Sequence, residues 1–170
     1  MKAFLGVVPA LLLAPAFAAD APARTATHRY MIERTFPAGA LEGLNAETKA
    51  KVNANNARAG VRWLQSYANE DKTRTYCLYE GPSEAAIRES AKLNALPIDS
   101  ITEVPVDVDS GKPARSVAVG GKRHRYLVER QFSPGAMDGL HAAAKTKVNT
   151  VNEKFGVTWV GSYANADKTV

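Results

Sequence analysis

Two adjacent charged residues, Glu33 and Arg34, lie in the middle of a segment with the alternating pattern of a β-strand, HRYMIERTF at 28–36. A charge inside a strand needs a partner or solvent, because burying an unpaired charge is costly. Successive side chains of a strand point to opposite faces of the sheet, so Glu33 and Arg34 are expected on opposite faces. One of them should therefore point towards the side that helices cover. A carboxylate there can hold a metal or a polar ligand, or act as an acid or base.

A buried carboxylate would need hydrogen-bond donors, and the sequence offers Tyr67, Tyr76 and Arg88. One interpretation is a polar cleft that binds a small ligand or a metal. Its candidate ligand-binding residues are Glu33, Arg34, Tyr67, Tyr76 and Glu129. The alternative is a structural ion pair, formed between strands or across an assembly interface.

Glu129 enters this set because the chain contains one segment twice. Residues 28–74 and 124–170 align at a constant offset of 96, and 26 of the 47 aligned positions are identical. An identity this high without a gap indicates one fold unit that has been duplicated. Glu33 and Arg34 recur as Glu129 and Arg130, so the paired charges are held in both copies.

Metal-binding and catalytic motifs are weak in this chain. His28 and Glu33 are candidate metal ligands, but no H-x-x-x-H or C-x-x-C spacing occurs. No nucleophile elbow and no phosphate-binding glycine loop occurs either, so we assign no catalytic residue. Cys77 is the only cysteine, which excludes an intrachain disulfide, and its strand context predicts a buried thiol.

The pattern of apolar residues and turn signals predicts six elements in the first copy. These are strands at 28–36, 61–68, 73–80 and 100–106, with helices at 44–59 and after the N-cap Ser83. The order β-α-β-β-α-β is the split unit of ferredoxin-like α+β folds. Such a unit leaves one sheet face uncovered, so we expect the tandem copies to pair sheet-to-sheet as an α/β barrel.

The chain divides into five predicted parts: a signal peptide (1–18), a flexible leader (19–27), a ferredoxin-like domain (28–106), a linker (107–123) and a partial second repeat (124–170). The signal combines Lys2, an apolar run and the Ala16-Phe17-Ala18 cleavage pattern. We therefore expect a periplasmic or secreted protein without stable membrane insertion after cleavage. The second repeat stops on a hairpin turn, which favours a fragment of a longer product over a half-unit that borrows a partner.

Charge indicates which partners to expect. The formal net charge of +5 is spread along the chain without a basic stripe, so we expect no nucleic-acid partner. We expect self-association, or pairing of the two repeats within the chain.

Four segments together resemble a known family: residues 30–37, 60–67, 75–82 and 95–104, which read YMIERTFP, GVRWLQSY, TYCLYEGP and ALPIDSITEV. They are similar to the small ferredoxin-like family whose studied representative is a nickel-binding protein. The resemblance implies a unit that pairs into an α/β barrel and a divalent metal such as nickel as cofactor. It also implies histidines in the first-strand region and in the second helix. The first strand has Arg34 and Thr35 beside Glu33, and residues 87–94 contain no histidine.

These observations favour an exported, non-catalytic module that binds a small ligand or a metal near Glu33. The first alternative is a structural module that self-associates without a ligand. The second is an enzyme in which Glu33 is the acid or base and Tyr67 or Tyr76 is the orienting donor.

Overall fold

The computed structural model describes residues 26–111 and 124–170. The predicted signal peptide, most of the predicted leader and most of the predicted linker lie outside these residues. The elements are β1 (His28–Thr35), α1 (Ala46–Arg58), β2 (Arg62–Ala68), β3 (Arg74–Gly81), α2 (Glu84–Leu93), β4 (Ser100–Glu103), β5 (Val106–Asp109), α3 (Ala142–Lys154) and β6 (Gly161–Ala164).

The first six elements have the predicted β-α-β-β-α-β order. They form a four-stranded sheet with the strand order β2-β3-β1-β4, in which every neighbouring pair is antiparallel. β1 is thus an inner strand with β3 on one side and β4 on the other. The mixed α+β class is confirmed, and the topology is that of the ferredoxin-like split unit.

Alternation along β1 builds the core on the helix side of this sheet. Tyr30 and Ile32 are buried against Cys77 and Tyr79 of β3 and Ile87 of α2. Full burial of an isoleucine such as Ile32 or Ile87 contributes about 1.5–3 kcal/mol. The thiol of Cys77 is buried, as predicted.

Capping residues fix where both helices of this unit begin and end. The Ser83 hydroxyl accepts the Ala86 N–H at 3.2 Å, as predicted for an N-cap. The Asn45 side chain accepts the Thr48 N–H at 2.9 Å, so α1 begins at Ala46 and not at the predicted residue 44. Gly60 follows α1 with a φ of +68°, which a glycine adopts without steric cost.

The fourth predicted strand is divided, and part of the predicted linker is a strand. β4 ends at Glu103, and after Pro105 the chain forms β5 from Val106 to Asp109. Residues 107–109, predicted to begin the linker, therefore pair antiparallel with β6. These residues form a strand because apolar and polar side chains alternate along them: Val106 and Val108 alternate with aspartates, and Val108 is buried.

The second copy of the repeated segment reproduces local structure from the first. α3 begins and ends 96 residues after α1. The indole N–H of Trp159 donates to Ser162 Oγ at 3.0 Å, just as that of Trp63 donates to Ser66 Oγ at 2.8 Å. The predicted domain boundaries and the predicted barrel pairing stay predictions.

One predicted strand of the second copy does not form. Residues 124–133 have no strand assignment, although they correspond to β1. In the first copy β1 is held by β3 and β4, whereas no strand of the described residues pairs with residues 124–133. Among the residues that the structure describes, no helix is long and apolar enough to cross a membrane.

Candidate functional site

Four residues form a row across the first sheet, on the face away from the helices. Tyr67 of β2 stands opposite Tyr76 of β3, Tyr76 stands opposite Glu33 of β1, and Glu33 stands opposite Ser100 of β4. Directly opposed residues of antiparallel strands project from the same face, so their side chains are neighbours. We call Tyr67, Tyr76, Glu33 and Ser100 the polar row.

Glu33 is the charged centre of the polar row. Its side chain is 20% exposed, and its Oε1 atom accepts from Arg74 Nε at 3.0 Å. The Tyr76 hydroxyl donates to the same oxygen over a longer distance of 3.4 Å. Tyr76 is one of the three donors that the sequence offered, whereas Arg88 binds Glu84 on the surface of α2 at 2.6 Å. An ion pair this open to solvent contributes at most about 1 kcal/mol to stability.

The start of the second copy brings charges to the polar row. The Arg125 guanidinium lies 5.9 Å from the centroid of the Tyr67 ring, within cation–π range. Burial raises the pKa of the Tyr76 phenol, and the negative charges of Glu33 and Glu129 raise it further. The structure therefore brings three of the five candidate residues, Glu33, Tyr67 and Tyr76, together on one face of the sheet, and the charge of Glu129 acts on Tyr76.

Arg34, the fifth candidate, is on the opposite face. Its side chain is 2% exposed, and it enters the helix-covered core beside Tyr79, with its Cζ atom 5.7 Å from the ring centroid. The Nη1 atom of Arg34 donates to the Pro97 carbonyl. Glu33 and Arg34 thus do not share one site, because neighbouring residues of a regular strand project in opposite directions. The side chain that enters the core is the arginine and not the carboxylate.

The two candidate metal ligands are far apart. Five residues of strand separate His28 from Glu33 by about 17 Å, and their side chains leave opposite faces of β1. His28 Nδ1 lies 2.7 Å from Glu103 Oε1 in an exposed pair. Among residues 26–111 and 124–170, no three His, Cys, Asp or Glu side chains gather as a metal ligand set.

Two open grooves border the second copy. The larger, of about 450 Å³, lies between residues 109–111 and one side of α3 along its length. The smaller, of about 280 Å³, includes Arg29, Asp107 and Tyr163. Neither groove is lined by Glu33 or Tyr76, so the polar row does not form a wall of either groove.

Comparison with known proteins identifies the first unit. Residues 30–104 match the model of the family described as nickel responsive protein SCO4226-like. The predicted family resemblance is confirmed for this segment. The crystal structure of SCO4226 from Streptomyces coelicolor A3(2) superposes with a TM-score of 0.41 and 24% sequence identity, over 46% of this chain and 96% of that chain. No curated protein matches the chain.

The SCO4226-like segment contains every residue of the polar row. Two cations beside that row, Arg74 and Arg125, were not predicted from the sequence. Arg74 could have been found, because it lies two residues before Tyr76 on the same strand face. Arg125 could not, since its approach to Tyr67 depends on how the second copy packs. Both basic residues lie close to phenols or carboxylates of the row.

The buried phenol of Tyr79 predicts a loss of stability in alkali. Burial raises the pKa of Tyr79 to about 12 from 10.0, although the Arg34 charge lowers it. The unfolded chain loses this proton near pH 10 while the folded chain keeps it. The free energy of unfolding should therefore fall between pH 10 and pH 12, by about 3 kcal/mol at about 1.4 kcal/mol per pKa unit. Urea unfolding at pH 9–11.5 should show a shallower fall for Tyr79→Phe than for the wild type.

The matched control for that measurement is Tyr126→Phe, which removes a phenol that is 79% exposed. Its stability should follow the wild-type curve at every pH. If Tyr79→Phe also followed the wild-type curve, the Tyr79 phenol would not be the source of the alkaline loss.

Proposed function

We propose that the protein is an exported, non-catalytic binding module that takes a small polar ligand or a divalent metal at the polar row around Glu33. The observation that carries this proposal is the convergence of charges and phenols on Glu33. Its carboxylate is 20% exposed and bonded to Arg74 and Tyr76. The match of residues 30–104 to a family described as nickel responsive supports a binding role.

The polar row suits a ligand that has both donor and acceptor groups. Glu33 accepts hydrogen bonds, the phenols of Tyr67 and Tyr76 donate or accept them, and Arg125 supplies a positive charge above Tyr67. A small polar molecule lying between the sheet and residues 125–129 could use all of these groups.

The described residues at the polar row do not fit a nickel ion. Nickel sites in proteins commonly use several imidazole, thiolate or carboxylate ligands, whereas Glu33 is the only such group in the row. Its nearest charged neighbour is the Arg74 guanidinium, at 3.0 Å, which would repel a cation. Nickel thus enters the proposal through the family description, and a polar organic ligand is the occupant that the row itself favours.

The first test changes Glu33 to Gln, which keeps the shape of the side chain and removes its charge. A thermal-shift screen with Ni²⁺, Zn²⁺, Cu²⁺, a chelator and a set of polar metabolites should find a stabilising ligand. A ligand that binds only the folded state at 100 times its Kd stabilises it by about 2.7 kcal/mol. Glu33→Gln should weaken that ligand at least tenfold by calorimetric titration.

The control for this test is Glu47→Gln, which removes one carboxylate from the exposed first turn of α1. It should bind as the wild type does. Equal binding by wild type and Glu33→Gln would place the ligand elsewhere and refute the polar row as the site.

Export is the second part of the proposal, and it rests on residues 1–18. Expression of the full chain in a Gram-negative host should give a processed protein in the periplasmic or culture fraction. Its first residue should be Ala19, determined by N-terminal mass spectrometry. An unprocessed chain that begins at Met1 in the cytoplasmic fraction would contradict export.

A second candidate function is self-association, and exposed apolar residues of the second copy favour it. Val148, Val151 and Phe155 follow the i, i+3, i+7 spacing of one face of α3, and Phe155 is 78% exposed. A second copy of this chain is the occupant we propose, because α3 of another copy presents the same three apolar side chains. Light scattering should then detect a dimer, and Val151→Glu should shift it to monomer.

The control for self-association is Thr150→Glu, which adds the same charge at an exposed position one residue away on α3. It should keep the dimer. A wild-type chain that stays monomeric up to high micromolar concentration would reject this candidate. The enzyme alternative stays a prediction, and no contact within the polar row favours catalysis over binding.

A further inference from the structure

β5 lies against the second copy of the repeat as an extended, acidic segment. It pairs antiparallel with β6, where Asp107 stands opposite Tyr163 and Val106 stands opposite Ala164. Ala164 is only 3% exposed in this pair. The edge of β6 therefore accepts a strand in which valine and aspartate alternate, by the strand addition that many proteins use to bind peptides.

Three side chains hold β5 on that edge. Lys145 of α3 binds Asp109 at 3.0 Å. Asn149, one turn further along α3, donates to the first carbonyl after β5 at 2.8 Å. Arg29, which belongs to the first copy, binds Asp107. We call the edge of β6 together with Arg29, Lys145 and Asn149 the β6 acceptor.

Every part of the β6 acceptor has a counterpart in the chain at the repeat offset of 96. The counterparts are Ser66, Tyr67 and Ala68 of β2, Lys49 and Asn53 of α1, and Arg125. We call these six residues the β2 acceptor.

The β2 acceptor faces solvent in the part of the chain that the structure describes. β2 is the outermost strand of its sheet, so only its edge towards β3 is paired. Ala68, Lys49 and Asn53 are exposed, whereas Ala164 and Asn149 are at most 8% exposed beside β5. Because β3 and α2 leave Lys49 and Asn53 exposed, the place that β5 takes on β6 corresponds to the outer edge of β2.

Arg125 supplies the charge that Arg29 supplies in the β6 acceptor. Its guanidinium lies 5.9 Å from the centroid of the Tyr67 ring. Tyr67 is the counterpart of Tyr163, which stands opposite Asp107 on the neighbouring strand. Directly opposed residues share a face of the sheet, so a carboxylate opposite Tyr67 would meet Arg125.

We propose that the β2 acceptor binds an extended acidic segment of a partner protein, in which β-branched residues and aspartates alternate as they do in β5. The segment adds to the outer edge of β2. One carboxylate binds Arg125 opposite Tyr67, and the carboxylate two residues later binds Lys49. The chain's own β5 is not the occupant, because it pairs with β6 and follows β4, which β1 and β3 separate from β2.

Binding of a synthetic peptide to the full chain tests the site. The peptide has the sequence of residues 104–111, VPVDVDSG. Calorimetric titration should find one peptide per chain, and amide hydrogen exchange should slow in β2 and stay unchanged in β6. A peptide with both aspartates changed to asparagine should bind about tenfold more weakly, because it lacks both charges.

Lys49→Glu is the decisive variant, because it reverses the charge that meets the second carboxylate. It should weaken the acidic peptide by about tenfold or more and leave the asparagine peptide unchanged. Lys51→Glu makes the same charge change at another exposed position of α1 and should bind as the wild type does. Lys49 takes no part in the polar row, so this loss separates the β2 acceptor from the proposed ligand site.

Two results would overturn the proposal. One is a wild-type chain that does not bind the peptide at millimolar concentration. The other is slowed exchange in β6 without a change in β2, which would mean that the peptide replaces β5. Both measurements use wild-type protein, so they decide the question even if Lys49→Glu fails to fold.

Discussion

The position of β1 inside the sheet decides which faces Glu33 and Arg34 occupy. Hydrogen bonds to β3 and β4 hold both edges of β1, so its register cannot shift without breaking two ladders. A slip of one residue would exchange the faces of Glu33 and Arg34. It would also move Ile32 out of the core, at a cost of about 1.5–3 kcal/mol. The apolar side chains thus fix the register, and the register separates the two charges.

Alternation of side chains along a strand also explains how β5 contacts both copies. Val108 is buried, while Asp107 and Asp109 project to the other side, where they bind Arg29 and Lys145. Asn149 of α3 donates to the Ser110 carbonyl at 2.8 Å directly after this strand. Part of the sequence that looked like a linker is therefore an interaction surface for the second copy. Antiparallel backbone pairing with β6 holds this surface, and Val108 and Ala164 are buried in it.

The sequence was sufficient for features that depend on neighbours along the chain. Alternation placed β1, and the capping residues Ser83 and Gly60 placed helix ends, because those interactions span only a few residues. The opposite faces of Glu33 and Arg34 also followed from strand geometry. The sequence did not show which face each charge occupies, since that depends on which side of the sheet the helices cover. The sequence also did not predict the hydrogen-bond partner of Arg34, the carbonyl of Pro97, because Pro97 lies 63 residues further along the chain.

The site shows why a family match and a metal site are separate conclusions. The match over residues 30–104 spans nearly the whole first sheet and both of its helices. Metal affinity depends instead on a few donor atoms at one point of that fold. Here the point marked by Glu33 holds a guanidinium and a phenol, and His28 lies at the other end of the strand. The same backbone can thus present a polar, mixed-charge surface where another sequence would present imidazoles.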